Sequence, residues 1–208
     1  MEHLLVDPHA PDEAVIARAA RILLDGGVVA YPTDTLYGLA VDPRNARAVQ
    51  RLFAVKQRPG AQPIPLIAAD RAQVEREVGP LNPLARRLAA AFWPGPLTLV
   101  IAAFPAILPG VHDAAGHVAV RVPDHAVARL LAACAGCAIT CTSANVSGEP
   151  PPDTPARVLA GLGAGIDALV DAGPTPGGPP STIVDTTGAA PALVREGVVS
   201  WARVLECV

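Results

Sequence analysis

The chain carries fifteen arginines but a single lysine, Lys56, which stands two residues from a guanidinium in Lys56-Gln57-Arg58-Pro59. An ammonium is a compact, mobile point charge and a guanidinium a rigid fork, so the two together suit a nucleotide's triphosphate. A solvated ion pair at a helix end is the alternative for such a pattern. Thr142-Ser143-Ala144-Asn145 follows an apolar run, and the carboxyl end of a strand is where α/β sheets commonly present ligand groups. Ser143 and Asn145 suit phosphate donors or a Mg²⁺-linked oxygen, and equally a helix cap or an Asx turn. The third cluster, Tyr31-Pro32-Thr33-Asp34-Thr35-Leu36-Tyr37-Gly38, combines hydroxyls with a carboxylate. A zwitterionic amino acid needs partners for both its ammonium and its carboxylate. Thr35 and Arg121 suit those tasks, while a rigid turn with both tyrosines in the core is compatible with them. Arg121 is the charged member of Val118-Ala119-Val120-Arg121-Val122, so it must end in a cleft or in a buried ion pair.

Other chemistries lack their signatures. There is no nucleophile elbow, Walker A loop, dinucleotide-binding glycine pattern or H-E-x-x-H sequence. Histidines at 3, 9, 112, 117 and 125 have no ligand spacing. Cys134-Ala-Gly-Cys137 has the C-x-x-C form without a second ligand pair, so small apolar residues at a helix end and in a strand are expected there, with no metal site. Positioned substrates fit these residues better than an enzyme nucleophile.

The elements that must hold these clusters alternate. Val15, Ile16, Ala19, Ile22 and Leu23 fall at helical spacing between Asp12 and Asp25, and Gly26-Gly27 ends that helix. Val28 to Tyr31 reads as a buried strand. Helices are expected near Asn45 to Val55, Arg71 to Val78, Pro83 to Phe92, His125 to Cys134 and Pro155 to Leu162. Strands are expected at Ile64 to Ala68, Leu97 to Ala102, Val118 to Val122, Ala138 to Thr142, Ala168 to Asp171, Thr182 to Asp185 and Leu193 to Arg195. That alternation predicts an α/β fold around one twisted mixed sheet with flanking helices, and 208 residues with 51% hydrophobic content suit one domain over 1–208. Pro105 and Pro109 interrupt the longest apolar run, and the N-terminus lacks a signal-like pattern, so a cytoplasmic, membrane-free protein is expected. A formal charge of −3 gives no global reason to bind nucleic acid.

Taken together the motifs resemble the YrdC-like family of threonylcarbamoyladenylate synthases. The resemblance rests on Tyr31 to Gly38, Lys56-x-Arg58-Pro59, Trp93-Pro94-Gly95-Pro96-Leu97-Thr98, Val118 to Arg121, Thr142 to Asn145, Ser181-Thr182-Ile183 and Arg195-x-Gly197, in family order along nearly the whole chain. It implies a large concave cavity, with Lys56, Arg58, Ser143 and Asn145 as the catalytic tetrad. ATP is expected at Lys56, Arg58, Gln62, His117, Ser143, Asn145 and Arg195. Threonine is expected at Thr33, Thr35, Arg121, Cys141 and Ser181. Mg²⁺ would accompany the nucleotide, with no protein metal site. The implied reaction joins ATP, L-threonine and bicarbonate, and the product feeds threonylcarbamoyladenosine formation in tRNA through TsaD, TsaB and TsaE-type proteins. Ile67 stands where some members carry a pocket histidine, and the end at Val208 resembles the short form of the family. A non-catalytic RNA-binding module of the same fold, or a paralogue acting on another carbamoyl substrate, are the rival expectations.

Overall fold

The computed structural model describes residues 1–57, 63–104 and 111–208. Arg58 and Gln62 therefore lie outside the described residues. In chain order the elements are β1 (Glu2–Leu5), α1 (Glu13–Leu24), β2 (Val29–Tyr31), β3 (Gly38–Ala40), α2 (Ala46–Val55), β4 (Leu66–Ile67), α3 (Arg71–Gln73) and a π-helical turn (Val74–Val78). They continue with α4 (Pro83–Phe92), β5 (Leu97–Ala102), β6 (His117–Arg121), α5 (Ala126–Ala135), β7 (Ile139–Thr140), β8 (Thr142–Ser143), α6 (Pro155–Leu162), β9 (Ala168–Asp171), β10 (Thr182–Asp185), β11 (Ala192–Arg195) and α7 (Trp201–Leu205).

The α/β class stands, but the strands form two mixed sheets where one was expected. One sheet runs β1-β9-β2-β3-β8 and the other β11-β10-β5-β6-β4-β7. The single strand expected over Ala138 to Thr142 is the reason for the difference. It breaks at Cys141, so that Ile139–Thr140 pairs with β4 while Thr142–Ser143 pairs with β3 of the other sheet. Period-two hydrophobicity cannot reveal such a hand-over, because each half remains extended.

Side-chain caps fix the helices that reach the site. Asn45 accepts from the Arg47 and Ala48 amides at the start of α2, a contribution of about 1 kcal/mol. The same helix buries Ala48, Val49 and Leu52 and ends at Lys56. Gln57 follows in the left-handed region at φ 49° and returns its amide to the Ala54 carbonyl, closing the helix. One hydrophobic core joins α2 and α4 to β5 and β6 through Leu52, Leu88, Leu99 and Val120. The second lies under α1 and α5 and includes Ile16, Leu23, Tyr31, Ile67 and Leu131. No described helix is long and apolar enough to cross a membrane.

Candidate active site

The two sheets meet where β7 passes into β8, and backbone bonds pin that crossing. The Cys141 amide donates to the Pro65 carbonyl at 2.7 Å and the Ala144 amide to the Tyr37 carbonyl at 2.9 Å. The Thr140 hydroxyl accepts from the Val41 amide at 2.9 Å. A cavity of about 690 Å³ opens at this seam, walled by both sheets and by the loops after β2 and β8. That volume is in the range of small-molecule sites. Its lining contains Lys56, Arg121 and Arg195 but no acidic side chain among the described residues.

Lys56 reaches one wall from the end of α2. It is only 4% exposed. Its Nζ donates to the Ser143 carbonyl at 2.5 Å, the Asn145 carbonyl at 2.8 Å and Asn145 Oδ1 at 3.4 Å. The Lys56 carbonyl in turn accepts the Ser147 amide at 2.9 Å. Asn145 completes this loop by donating its Nδ2 to the Val146 and Glu149 carbonyls. The ammonium thus holds the loop that carries Ser143, and both sequence readings of Asn145, turn former and site member, meet in one residue.

The rest of the polar lining is built from hydroxyls and guanidiniums. Thr33 donates its Oγ1 to the Leu36 carbonyl at 2.7 Å and lies 3.1 Å from the Thr35 hydroxyl. Both threonines are buried and line the cavity. Arg121, at the end of β6, donates Nη1 to Asp34 Oδ1 at 2.6 Å. Burial opposes its charge, while Cys141, Asp34 and Tyr31 favour it and leave its pKa raised. Tyr31 behind it is fully buried, and desolvation, aided by Cys141, keeps its phenol protonated well beyond the ordinary range.

Ser181 sits between β5 and β11. Its hydroxyl is 2.9 Å from that of Thr98, and its carbonyl accepts Arg195 Nη2 at 2.9 Å. The spacing Arg195-x-Gly197 has a steric cause, because a Cβ at Gly197 would lie 2.0 Å from the Pro180 carbonyl oxygen. Only a glycine lets the chain leaving β11 cross Pro180 and Ser181 so closely. Arg195 is exposed at the cavity rim, and burial together with the neighbouring Arg121 charge lowers its pKa. No carboxylate among the described residues pairs with it, so an anion between the two guanidiniums would relieve their repulsion.

The structure brings Lys56, Ser143, Asn145, Thr33, Thr35, Arg121, Cys141, Ser181 and Arg195 to one cavity. His117 is the exception. It begins β6, opposite Ala102 and four residues before Arg121, and its Nδ1 lies 3.4 Å from Asp113. A strand rises about 3.3 Å per residue, which carries His117 away from the cavity end of β6. Ile67 is fully buried in the core under α1 and α5, and its neighbour Leu66 lines the cavity instead. Thr98 was not singled out as a ligand group, although a lone hydroxyl in the apolar strand Leu97–Ala102 was its signal. Cys134 and Cys137 are free thiols, and burial pushes that of Cys137 up to about 11.

No group of three or more His, Cys, Asp or Glu that could hold a metal exists among the described residues.

Fold and site together define a two-sheet α/β protein whose cationic, hydroxyl-rich cavity suits a phosphate-bearing ligand and a small carboxylate. The chain belongs to the Sua5/YciO/YrdC family: the family model, described as "Telomere recombination", matches residues 21–197. It is 37% identical over 197 residues to the threonylcarbamoyl-AMP synthase of Bacillus subtilis, covering 94% of this chain and 57% of that relative. It is 36% identical over 200 residues to a putative threonylcarbamoyl-AMP synthase of Mycobacterium tuberculosis, covering 96% of this chain and 91% of the relative. The crystal structure of Pyrococcus abyssi Sua5 complexed with L-threonine superposes with a TM-score of 0.94 at 32% identity, covering 100% of this chain and 61% of that one.

Proposed function

We propose that this chain makes L-threonylcarbamoyladenylate from ATP, L-threonine and bicarbonate, releasing pyrophosphate. The observation that carries the reading is that one cavity is lined by Lys56, Ser143 and Asn145 together with Thr35, Arg121, Ser181 and Arg195. The names of the similar synthases and the threonine bound by the Pyrococcus protein support it.

In this reading the carboxylate of threonine pairs with Arg121 and Ser181, and its amine lies by Thr33 and Thr35. The free amine and bicarbonate condense to a carbamate with loss of water. A carbamate oxygen then attacks the α-phosphorus of ATP, and pyrophosphate leaves. The protein supplies alignment of the two ligands and neutralisation of phosphate charge, which together are the main sources of rate in such transfers. Lys56, Ser143, Asn145 and Arg195 take the ATP side, and Arg58 joins them by family resemblance. Mg²⁺ arrives with the nucleotide. The product would supply the threonylcarbamoyl group for tRNA, with TsaD, TsaB and TsaE-type proteins completing the transfer.

Mass spectrometry of incubations with ATP, threonine and carbon-13 bicarbonate tests this. A product one mass unit heavier than that from unlabelled bicarbonate, with equimolar pyrophosphate, is expected. Pyrophosphate release that ignores threonine or bicarbonate would overturn it.

A further inference from the structure

Asp34 stands inside the Tyr31 to Gly38 cluster, yet it is not a cavity-lining residue. Its side chain is 9% exposed and both oxygens are engaged. Oδ1 accepts Arg121 Nη1 at 2.6 Å, and Oδ2 accepts the Asp124 amide at 3.1 Å. It thus ties the guanidinium at the end of β6 to the turn that follows the same strand. The Arg121 side chain is 5% exposed and faces the cavity from the other side of this pair. Behind Asp34 lies a second concavity, lined by Asp34, Asp124, His125, Phe92 and the Pro94–Pro96 segment. Arg121 lines one hollow and Asp34 the other, so the ion pair lies between the two.

Arg195 adds a force that acts on the same group. Both guanidiniums line the same cavity, and the charge of Arg121, after desolvation, contributes to the lowered pKa of Arg195. Without an anchor on its far side, a long arginine side chain at a cavity next to a like charge has several rotamers to occupy. With Nη1 fixed on a carboxylate, the remaining guanidinium N–H groups have one direction left. Donors held in place before the ligand arrives lose less freedom on binding.

We propose that Asp34 is a positioning residue: it aims Arg121 at the substrate carboxylate and so sets the affinity for threonine, leaving the nucleotide side of the cavity untouched. This inference rests on the reaction assigned above and names a residue of its amino-acid subsite. Asp34 also carries a negative charge that opposes the incoming carboxylate. The two effects have opposite signs and separate by substitution. Asp34→Asn keeps an oxygen for Arg121 and removes the opposing charge, whereas Asp34→Ala removes the anchor.

The test is threonine and ATP saturation of pyrophosphate release for the wild type, Asp34→Asn, Asp34→Ala, Arg121→Ala and the Asp34→Ala/Arg121→Ala double variant, with a melting curve for each. Asp34→Ala is expected to lower kcat/KM for threonine by about tenfold or more, the worth of a charge-assisted hydrogen bond, with KM for ATP within about twofold. Asp34→Asn should recover most of that loss. In the Arg121→Ala background, removing Asp34 should cost nothing further, because no guanidinium is left for it to anchor. An unchanged threonine kcat/KM in Asp34→Ala overturns the proposal. So does a loss of the same size with and without Arg121, or an equal rise in both KM values. A wild-type protein without threonine-dependent pyrophosphate release would instead sink the reaction assignment, and threonine titration calorimetry on the same variants then still decides the role of Asp34.

Discussion

Replacing Lys56 by Met keeps an unbranched chain of similar bulk and deletes the ammonium, so it separates the loop-holding role of this residue from simple packing. Two of its bonds are short, 2.5 Å to the Ser143 carbonyl and 2.8 Å to that of Asn145. Hydrogen bonds to a charged group contribute about 1.5–3 kcal/mol each, giving a gross loss of roughly 3–6 kcal/mol. Two effects offset part of it. The variant no longer buries an ammonium, and water entering the cavity can satisfy the abandoned carbonyls. A net destabilisation of about 1–3 kcal/mol follows, or roughly 2–12 °C in melting temperature for a chain of this size. Turnover should fall at least about a hundredfold, since an ångström of misplacement at Ser143 alone costs that much. Calorimetric melting and pyrophosphate release measured on the same preparation check both numbers. An unchanged melting temperature would refute the claim that Lys56 holds the loop, and wild-type turnover would remove it from the site.

Gly197→Ala should lower the melting temperature and soluble yield, because its Cβ would lie 2.0 Å from the Pro180 oxygen and 2.8 Å from the Ser181 carbon, and backbone cannot yield as a side chain does; an unchanged melting curve would show that the crossing relaxes freely. Arg195→Gln removes the rim cation, so the stabilisation by saturating ATP, about 2.7 kcal/mol at a hundredfold excess over Kd for the wild type, should shrink in thermal-shift titrations. Cys137 is held protonated by burial, with its folded pKa near 11 and above that of the unfolded chain. Its stabilising contribution is therefore complete below the unfolded value of about 8.5 and is lost as pH rises towards the folded one. Denaturation midpoints between pH 8 and pH 11 should show a downward slope that Cys137→Ala diminishes, and a thiol reagent at neutral pH should label Cys137 only after unfolding.

Much of this architecture was legible because the helices announce themselves. Asn45, Asn82 and Thr154 cap α2, α4 and α6 by accepting backbone amides, and these are the residue types that sequence reading looks for at such positions. What escaped were pieces whose identity depends on distant partners. Gly38–Ala40 is three residues long and becomes a strand only by pairing with β2 and β8. Glu2–Leu5 lies against β9, more than 160 residues away, and its alternating burial is too short to register as a pattern. The site followed the same division. Arg121 stood out because an arginine among valines needs an explanation. The sequence near Asp34 gave no sign that this carboxylate, and not a ligand alone, supplies part of it. His117 begins β6 and does not line the cavity, whereas Arg121 at the other end of the same strand does, a distinction that needs the strand's direction as well as its residues.

The distribution of charge among the described residues explains how such a cationic cavity can stay open. Among the described residues three cations and no acidic side chain reach the lining, which would be unfavourable if all three were buried and bare. Two of them are not bare. Lys56 is saturated by loop carbonyls and Arg121 by Asp34, so both are fixed in direction before any ligand enters. Arg195, exposed and among the described residues bonded to Ser181, is destabilised in its charged form by partial desolvation and by Arg121. The unrelieved electrostatic term thus sits on the residue nearest solvent, where water limits its cost. Anions that pair with Arg195 and with Arg121 remove that term as they bind. The buried pair supplies geometry and the rim residue supplies the attraction, and for that reason substitutions at Lys56 or Asp34 should disturb alignment, whereas those at Arg195 should disturb capture.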